Sequence, residues 1–121
     1  MGRYLRGDVI LAPVPFEERG GAKTRPAIVI SAAENGEMQI CPVSSRPPTD
    51  GPWIPISLND FSEGGLDLFS DSYALTTHIR TIRSGEVVCK RGRLTQECLA
   101  LVIAQTPEQK GQNTESNKRT R

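Results

Sequence analysis

Residues 25–31 read Arg-Pro-Ala-Ile-Val-Ile-Ser, and no other string in the chain restricts the fold as much. Proline fixes its own backbone, gives no N–H, and holds the residue before it extended. The uninterrupted, largely β-branched run Ala27–Ile30 that follows predicts a strand buried on both faces. Soon after comes Asn35-Gly36, the strongest short hairpin signal in the sequence, and then Met38–Val43 as the return strand. A hairpin apolar on both faces needs further strands and a cover, so a mainly β fold is expected.

The remaining punctuation extends that reading. Val9–Ala12, set between Gly7 and Pro13, predicts a first strand, and Pro13–Thr24 a mobile loop. Pro47, Pro48, Asp50, Gly51 and Pro52 mark a second long loop. Ile54, Ile56 and Leu58 alternate with polar or bulky neighbours, and Pro55 makes that segment an edge strand. Asn59–Gly65 reads as a turn or a single helical turn. Tyr73–Thr77 and Ile79–Ile82 form a further strand-like segment, which Ser84-Gly85 turns into Val87–Cys89, with Gly92 interrupting the strand before Leu94. Thr95 suits an N-cap with Glu97 in the first turn, and Cys98, Leu99, Val102 and Ile103 recur at helical spacing. A helix from Gln96 to about Thr106, stopped by Pro107, follows. The result is one domain over 1–107, with about six short strands in a curved sheet or partly open β-barrel closed by a C-terminal α-helix, α+β overall. Residues 108–121 contain no aliphatic or aromatic side chain and read as a disordered polar tail. No internal repeat is present.

A net charge of +1 names no partner, but the charge is unevenly spread. Arg80, Arg83, Lys90, Arg91 and Arg93 crowd one stretch opposed only by Glu86, whereas residues 47–71 hold five acids and no base. A basic face of this kind suits nucleic acid. Composition alone favours plain solvated surface. The three cysteines are an odd count without paired spacing, no secretory segment opens the chain, and no apolar run approaches the ~20 residues a membrane span requires. Reduced thiols and a cytoplasmic location, away from membranes, are expected. Cys41, Cys89, Cys98 and His78 lack the C-x₂-C spacing of a zinc site, so no metal is expected.

Arg25 is the leading candidate for function. Its extended backbone aims a guanidinium beside a polar loop, an arrangement that meets phosphate well. An ion pair with Glu17 or Glu18 across the same loop is the competing reading.

Taken in order, several strings carry a family likeness. They are Arg6-Gly7-Asp8-Val9, the glycine-containing loop, Arg25–Ser31, Pro42-Val43-Ser44-Ser45, Leu66–Ser72, His78-Ile79-Arg80-Thr81-Ile82 and Leu94-Thr95. Over about residues 6–106 the chain resembles the MazF/PemK family of toxin ribonucleases. The resemblance implies an SH3-like barrel of the MazF/CcdB type, a homodimer with a groove between protomers, and metal- and cofactor-independent cleavage of single-stranded RNA. It also implies a cognate antitoxin peptide that blocks the groove. The family's catalytic positions fall on Arg25 and on Ser44, where threonine is usual. RNA contacts are expected from Lys23, Thr24, Ser45, Arg46, His78 and Arg80. Two other functions fit a kindred barrel: a non-catalytic nucleic-acid-binding module, and a toxin that targets DNA gyrase. The second works through a C-terminal helix, where this chain has a polar tail.

Cleavage without a metal requires the ribose 2′-OH to attack phosphorus in line, giving a 2′,3′-cyclic phosphate and a 5′-OH. Arg25 suits charge stabilisation and, since arginine keeps its proton, not the role of base. Ser44 is either a donor to the phosphate or a strand-end hydroxyl that satisfies a turn. His78 is the only side chain whose ordinary pKa suits a general base, though a structural or groove-lining role is the preferred reading. Trp53 is read as an edge-strand hydrophobe at a dimer contact in preference to a base-stacking platform. The basic residues between Arg80 and Arg93 are expected to contact the RNA backbone.

Overall fold

The computed structural model describes residues 4–15, 22–46, 49, 51–64 and 72–106. Among them the strands are β1 (Asp8–Pro15), β2 (Ala22–Ala32), β3 (Glu37–Ser44), β4 (Ile54–Ile56), β5 (Phe61–Gly64), β6 (Ser72–Ala74), β7 (Arg80–Arg83) and β8 (Cys89–Leu94), followed by helix α1 (Gln96–Gln105). All pairings are antiparallel, and the order across the sheet is β4-β6-β3-β2-β1-β8-β5, with β7 also on β3. The tail from Glu108 onward lies outside the described residues.

The predicted hairpin forms as expected. β2 and β3 pair through Ala27↔Pro42 and Ile28↔Cys41, and the turn between them closes with Gly36 N–H on the carbonyl of Ala33 at 3.1 Å. Gly36 sits at φ 94°, a left-handed conformation that disfavours any side chain. The helix begins where expected, Thr95 accepting the N–H of Cys98 at 3.1 Å.

Strand limits differ from the sequence expectation, for physical reasons. β1 runs through Pro13 and Pro15, which pair with Thr24 and Ala22, so the two ends of the expected Pro13–Thr24 loop are ladder, and 16–21 lie outside the described residues. Those prolines are tolerated because β8 pairs β1 only as far as Leu11, leaving their missing N–H groups at an open edge. Phe61–Gly64, expected as a turn, is preceded by a short 3-10 turn and pairs with β8 as a strand. Tyr73 to Ile82 is two strands rather than one, because β3 takes β7 along residues 37–40 and β6 along 43–44.

Alternation divides the apolar residues between two faces. Val9, Ile28, Ile30, Cys41, Val43, Ile54, Ile56, Ala74 and Leu94 form one cluster with Cys98 and Val102 of α1. Ile10, Ala12, Val14, Ala27, Val29, Met38, Ile40 and Ile82 form the other. Helix α1 touches both β4, at one end of the sheet order, and β8, near the other. The sheet is therefore curled around the helix as a half-barrel, helped by bulges in the β1–β8, β2–β3 and β5–β8 ladders. Burial of a side chain such as Val102, which is fully enclosed, contributes roughly 1.5–3 kcal/mol to that closure.

Candidate functional site

The β2–β3 ladder ends at Ala27↔Pro42. Pro26 comes next on β2 and has no N–H with which to extend the ladder, while the Pro42 carbonyl faces away from β2 and accepts Leu75 N–H. Two residues beyond Ala27 stands Arg25, and two beyond Pro42 stands Ser44. Side chains two apart on a strand share a face, so the register sets Arg25 and Ser44 on one side of the sheet at the end of the ladder. Arg25 is half-buried, with its Nε sealed from solvent.

Ser44 is held from both sides. Its backbone pairs with Tyr73 of β6, and its Oγ accepts the N–H of Arg46 at 3.1 Å. The hydroxyl thus satisfies a turn, as the structural reading expected, and its own proton remains to donate elsewhere. The same bond fixes the backbone of the exposed Arg46 beside it.

The other expected residues divide. Arg80 pairs with Ile40, on the face of β3 shared by Pro42 and Ser44, and its guanidinium donates to the carbonyl of Ile79 at 3.3 Å. His78 lies on the turn between β6 and β7 that crosses Pro42, where Leu75 N–H reaches the Pro42 carbonyl at 2.9 Å. Its Nδ1 lies 3.3 Å from Thr77 Oγ1. Thr24 alternates to the face opposite Arg25, Ser45 is exposed in the bend after β3, and Lys23 pairs with Val14 in the β1–β2 ladder. Glu17 and Glu18 lie outside the described residues.

The basic stretch is less available than its composition implied. Asp8 is almost fully buried, and its Oδ1 receives Arg93 at 2.7 Å and Lys90 at 3.3 Å. Its Oδ2 accepts the N–H of Leu5 at 2.8 Å. Glu63 adds a second carboxylate 3.3 Å from Lys90. Burial draws the Lys90 ammonium down, but Asp8 and Glu63 outweigh it and leave its pKa above the lysine norm. Lys90 and Arg93 therefore close a corner of the barrel around Asp8. Asp8 and Tyr73 were not singled out in the sequence. Asp8 stood in plain view inside Arg6-Gly7-Asp8-Val9, but Tyr73 gains meaning only from the rung it shares with Ser44.

The two buried thiols show no reactive character. Burial in the helix-covered core pushes Cys41 up to about 12, against a weaker opposing hydrogen bond involving Leu75. Burial, with Asp60 nearby, pushes Cys98 up to about 11. A cleft of about 370 Å³ bounded by Tyr4, Leu5, Ile30 and Glu34 lies toward the opposite end of β2, and none of the expected site residues line it.

Solved structures share this fold. The chain superimposes on the Form-II MazE–MazF crystal structure from Deinococcus radiodurans with a TM-score of 0.56 at 20% identity, covering 84% of this chain and 89% of that one. An endoribonuclease in complex with its cognate antitoxin, from a mycobacterial species, gives 0.55 at 17% identity over 85% and 89%. Mycobacterium tuberculosis toxin MazF-mt6 gives 0.53 at 15% over 78% and 88%. At these identities the likeness shows the fold. No curated protein sequence matches the chain. A sequence profile of the PemK-like, MazF-like toxins matches residues 5–106, nearly the whole of the described barrel and helix, and the chain accordingly belongs to that family of type II toxin–antitoxin toxins.

Proposed function

We propose that this protein is a metal-independent endoribonuclease that cleaves single-stranded RNA at short sequences, leaving 2′,3′-cyclic phosphate and 5′-OH ends. The observation that carries the reading is the shared face of Arg25 and Ser44 at the proline-ended ladder. A guanidinium and a hydroxyl presented side by side can grip one phosphodiester from two directions. Arg25 donates to the non-bridging oxygens as charge builds on them. Ser44, its lone pair engaged by Arg46 N–H, donates its proton to the phosphate. Arg46 and Arg80 supply positive charge along the RNA path, and His78 on the neighbouring turn lines it. Single-strand preference follows from the need to splay the attacking ribose away from its neighbour.

The same reading includes a homodimer whose protomers bound the RNA groove, a cognate antitoxin peptide that occupies it, and action in the cytoplasm. The MazE–MazF and endoribonuclease–antitoxin complexes of similar fold support the antitoxin. The test is incubation of the purified chain with mixed-sequence RNA in excess EDTA. New 5′-OH ends paired with cyclic phosphates are expected; intact RNA retained by the protein would support a binding module instead.

A further inference from the structure

We propose that Trp53 and Tyr73 form a nucleobase-stacking platform beside Ser44, seating a base next to the phosphate that is cut; this rests on the ribonuclease reading and adds a base subsite to it. Ser44 pairs with Tyr73 on one side of β6, and Pro55 pairs with Tyr73 on the other. Ser44, Tyr73 and Pro55 thus stand in one row across three strands. Their face is the one opposite Val43, Ala74 and Ile54, which enter the helix-covered core. Trp53, two residues before Pro55, meets Tyr73 edge to face, with centroids 4.9 Å apart and planes at 84°. Cross-strand partners place their Cβ atoms about 5 Å apart, so the indole lies within reach of a nucleotide held at Ser44.

The platform is built in advance of any ligand. The buried Thr76 donates its hydroxyl to the Pro52 carbonyl at 3.3 Å. Gly51, at φ +77°, lies so close to the same turn that a Cβ there would stand 2.8 Å from Thr77 Oγ1. The backbone leading into Trp53 is therefore clamped to the turn that also carries His78. An edge-to-face pair leaves ring surface for a third ring, and Trp53 remains 39% exposed. Little ordering is then left to oppose binding.

The surroundings select the occupant. Arg46 stands exposed two residues beyond Ser44, Arg25 is on the Ser44 face, and Arg80 pairs with Ile40 further along that face of β3. Aromatic rings on a surface that also carries such cations suit a nucleotide, base on ring and phosphate on cation. The core of a contact with a second copy is instead depleted of charge.

Trp53 is the sole tryptophan, so its emission reports this subsite directly. The full chain is titrated with a short 2′-O-methyl oligoribonucleotide, which binds but offers no 2′-OH to attack. Saturable quenching is expected. The same oligomer made abasic should bind without quenching, and Trp53→Ala should weaken binding about 5- to 100-fold, the worth of one stacked base. Trp53→Phe should recover most of the affinity, and it keeps a ring in place should Trp53→Ala fail to fold. Binding without quenching, quenching equal with the abasic oligomer, or no binding would each overturn the proposal. So would emission that shifts when the protein alone is diluted and stays unchanged by RNA, which would assign the indole to a second copy. Quenching without cleavage of natural RNA keeps the stacking surface and removes the ribonuclease reading. Cleavage without quenching does the reverse.

Discussion

Two groups of cations sit on this small barrel, and they are used differently. At the β1–β8 corner, Lys90 and Arg93 converge on the buried carboxylate of Asp8, which also takes a backbone N–H. At the end of the β2–β3 ladder, Arg25 shares a face with the Ser44 hydroxyl, and Arg46 stands exposed in the turn that Ser44 holds. The first group answers a charge inside the chain and fixes the fold. The second stands where Pro26 ends the β2–β3 ladder, and in the proposed reading it is the group that meets the RNA. What separates them is the register partner of each residue, which charge counting does not reveal.

The sharpest way to break that contrast is Arg25→Ala. Loss of one charge-stabilising donor typically lowers the rate about 100- to 1,000-fold. Thermal stability should move less than activity, because Arg25 lies in neither apolar cluster. A melting temperature that falls along with activity would show Arg25 to be structural and erase the distinction.

Asp8→Ala is the mirror experiment. It removes the acceptor of Arg93, Lys90 and Leu5 N–H together. The side chains of both cations are more than a third exposed, at 39% and 36%, so water screens much of the loss. A cost of about 2–3 kcal/mol remains, or roughly 10–20 °C in melting temperature for a domain of this size. The cleavage rate per folded molecule should be unchanged. A stable Asp8→Ala protein with lost activity would assign the corner to RNA after all.

The contrast also explains what the sequence could and could not reveal. The hairpin was legible because Asn35-Gly36 and the β-branched runs beside it act locally, and so was the helix, through Thr95 and its apolar spacing. β5 was hidden because Phe-Ser-Glu-Gly has no strand pattern of its own and is held extended by β8. The Asp8 corner was hidden because Arg93 lies 85 positions along the chain from it. Arg25 and Ser44 could be named as candidates, but their shared face depends on which residues the β2–β3 ladder pairs and where Pro26 ends it. The Ser44–Tyr73 rung depended on β3 changing partners midway, which no local string encodes.

Ser44 tests the ligand side more gently. A neutral hydrogen bond is worth about 0.5–1.5 kcal/mol net, so Ser44→Ala should slow cleavage roughly 2- to 10-fold. Ser44→Thr keeps the hydroxyl and should hold the wild-type rate in single-turnover assays. Equal rates for serine and alanine would reduce Ser44 to its bond with Arg46 and leave Arg25 to act alone.

The last expected effect belongs to the fold side and appears in alkali. Buried Cys41 and Cys98 titrate at about 12 and about 11 in the folded chain, against an ordinary value of 9.0. Above that ordinary value the unfolded thiols release protons that the folded ones keep, so stability falls as pH rises. Lys90 acts in the same direction: its fold-raised pKa contributes stability that is complete below the ordinary 10.5 and lost as pH climbs through the raised value. The melting temperature should therefore be level near neutrality and decline from about pH 9 upward. Asp8→Ala should flatten the last part of that decline, where Lys90 titrates, and leave the thiol part intact. Below the decline, half-exposed Cys89 should be alkylated in the native protein while Cys41 and Cys98 wait for unfolding. A melting temperature indifferent to alkali, or native alkylation of all the thiols at once, would mean that the helix-covered core opens far more readily than its packing implies.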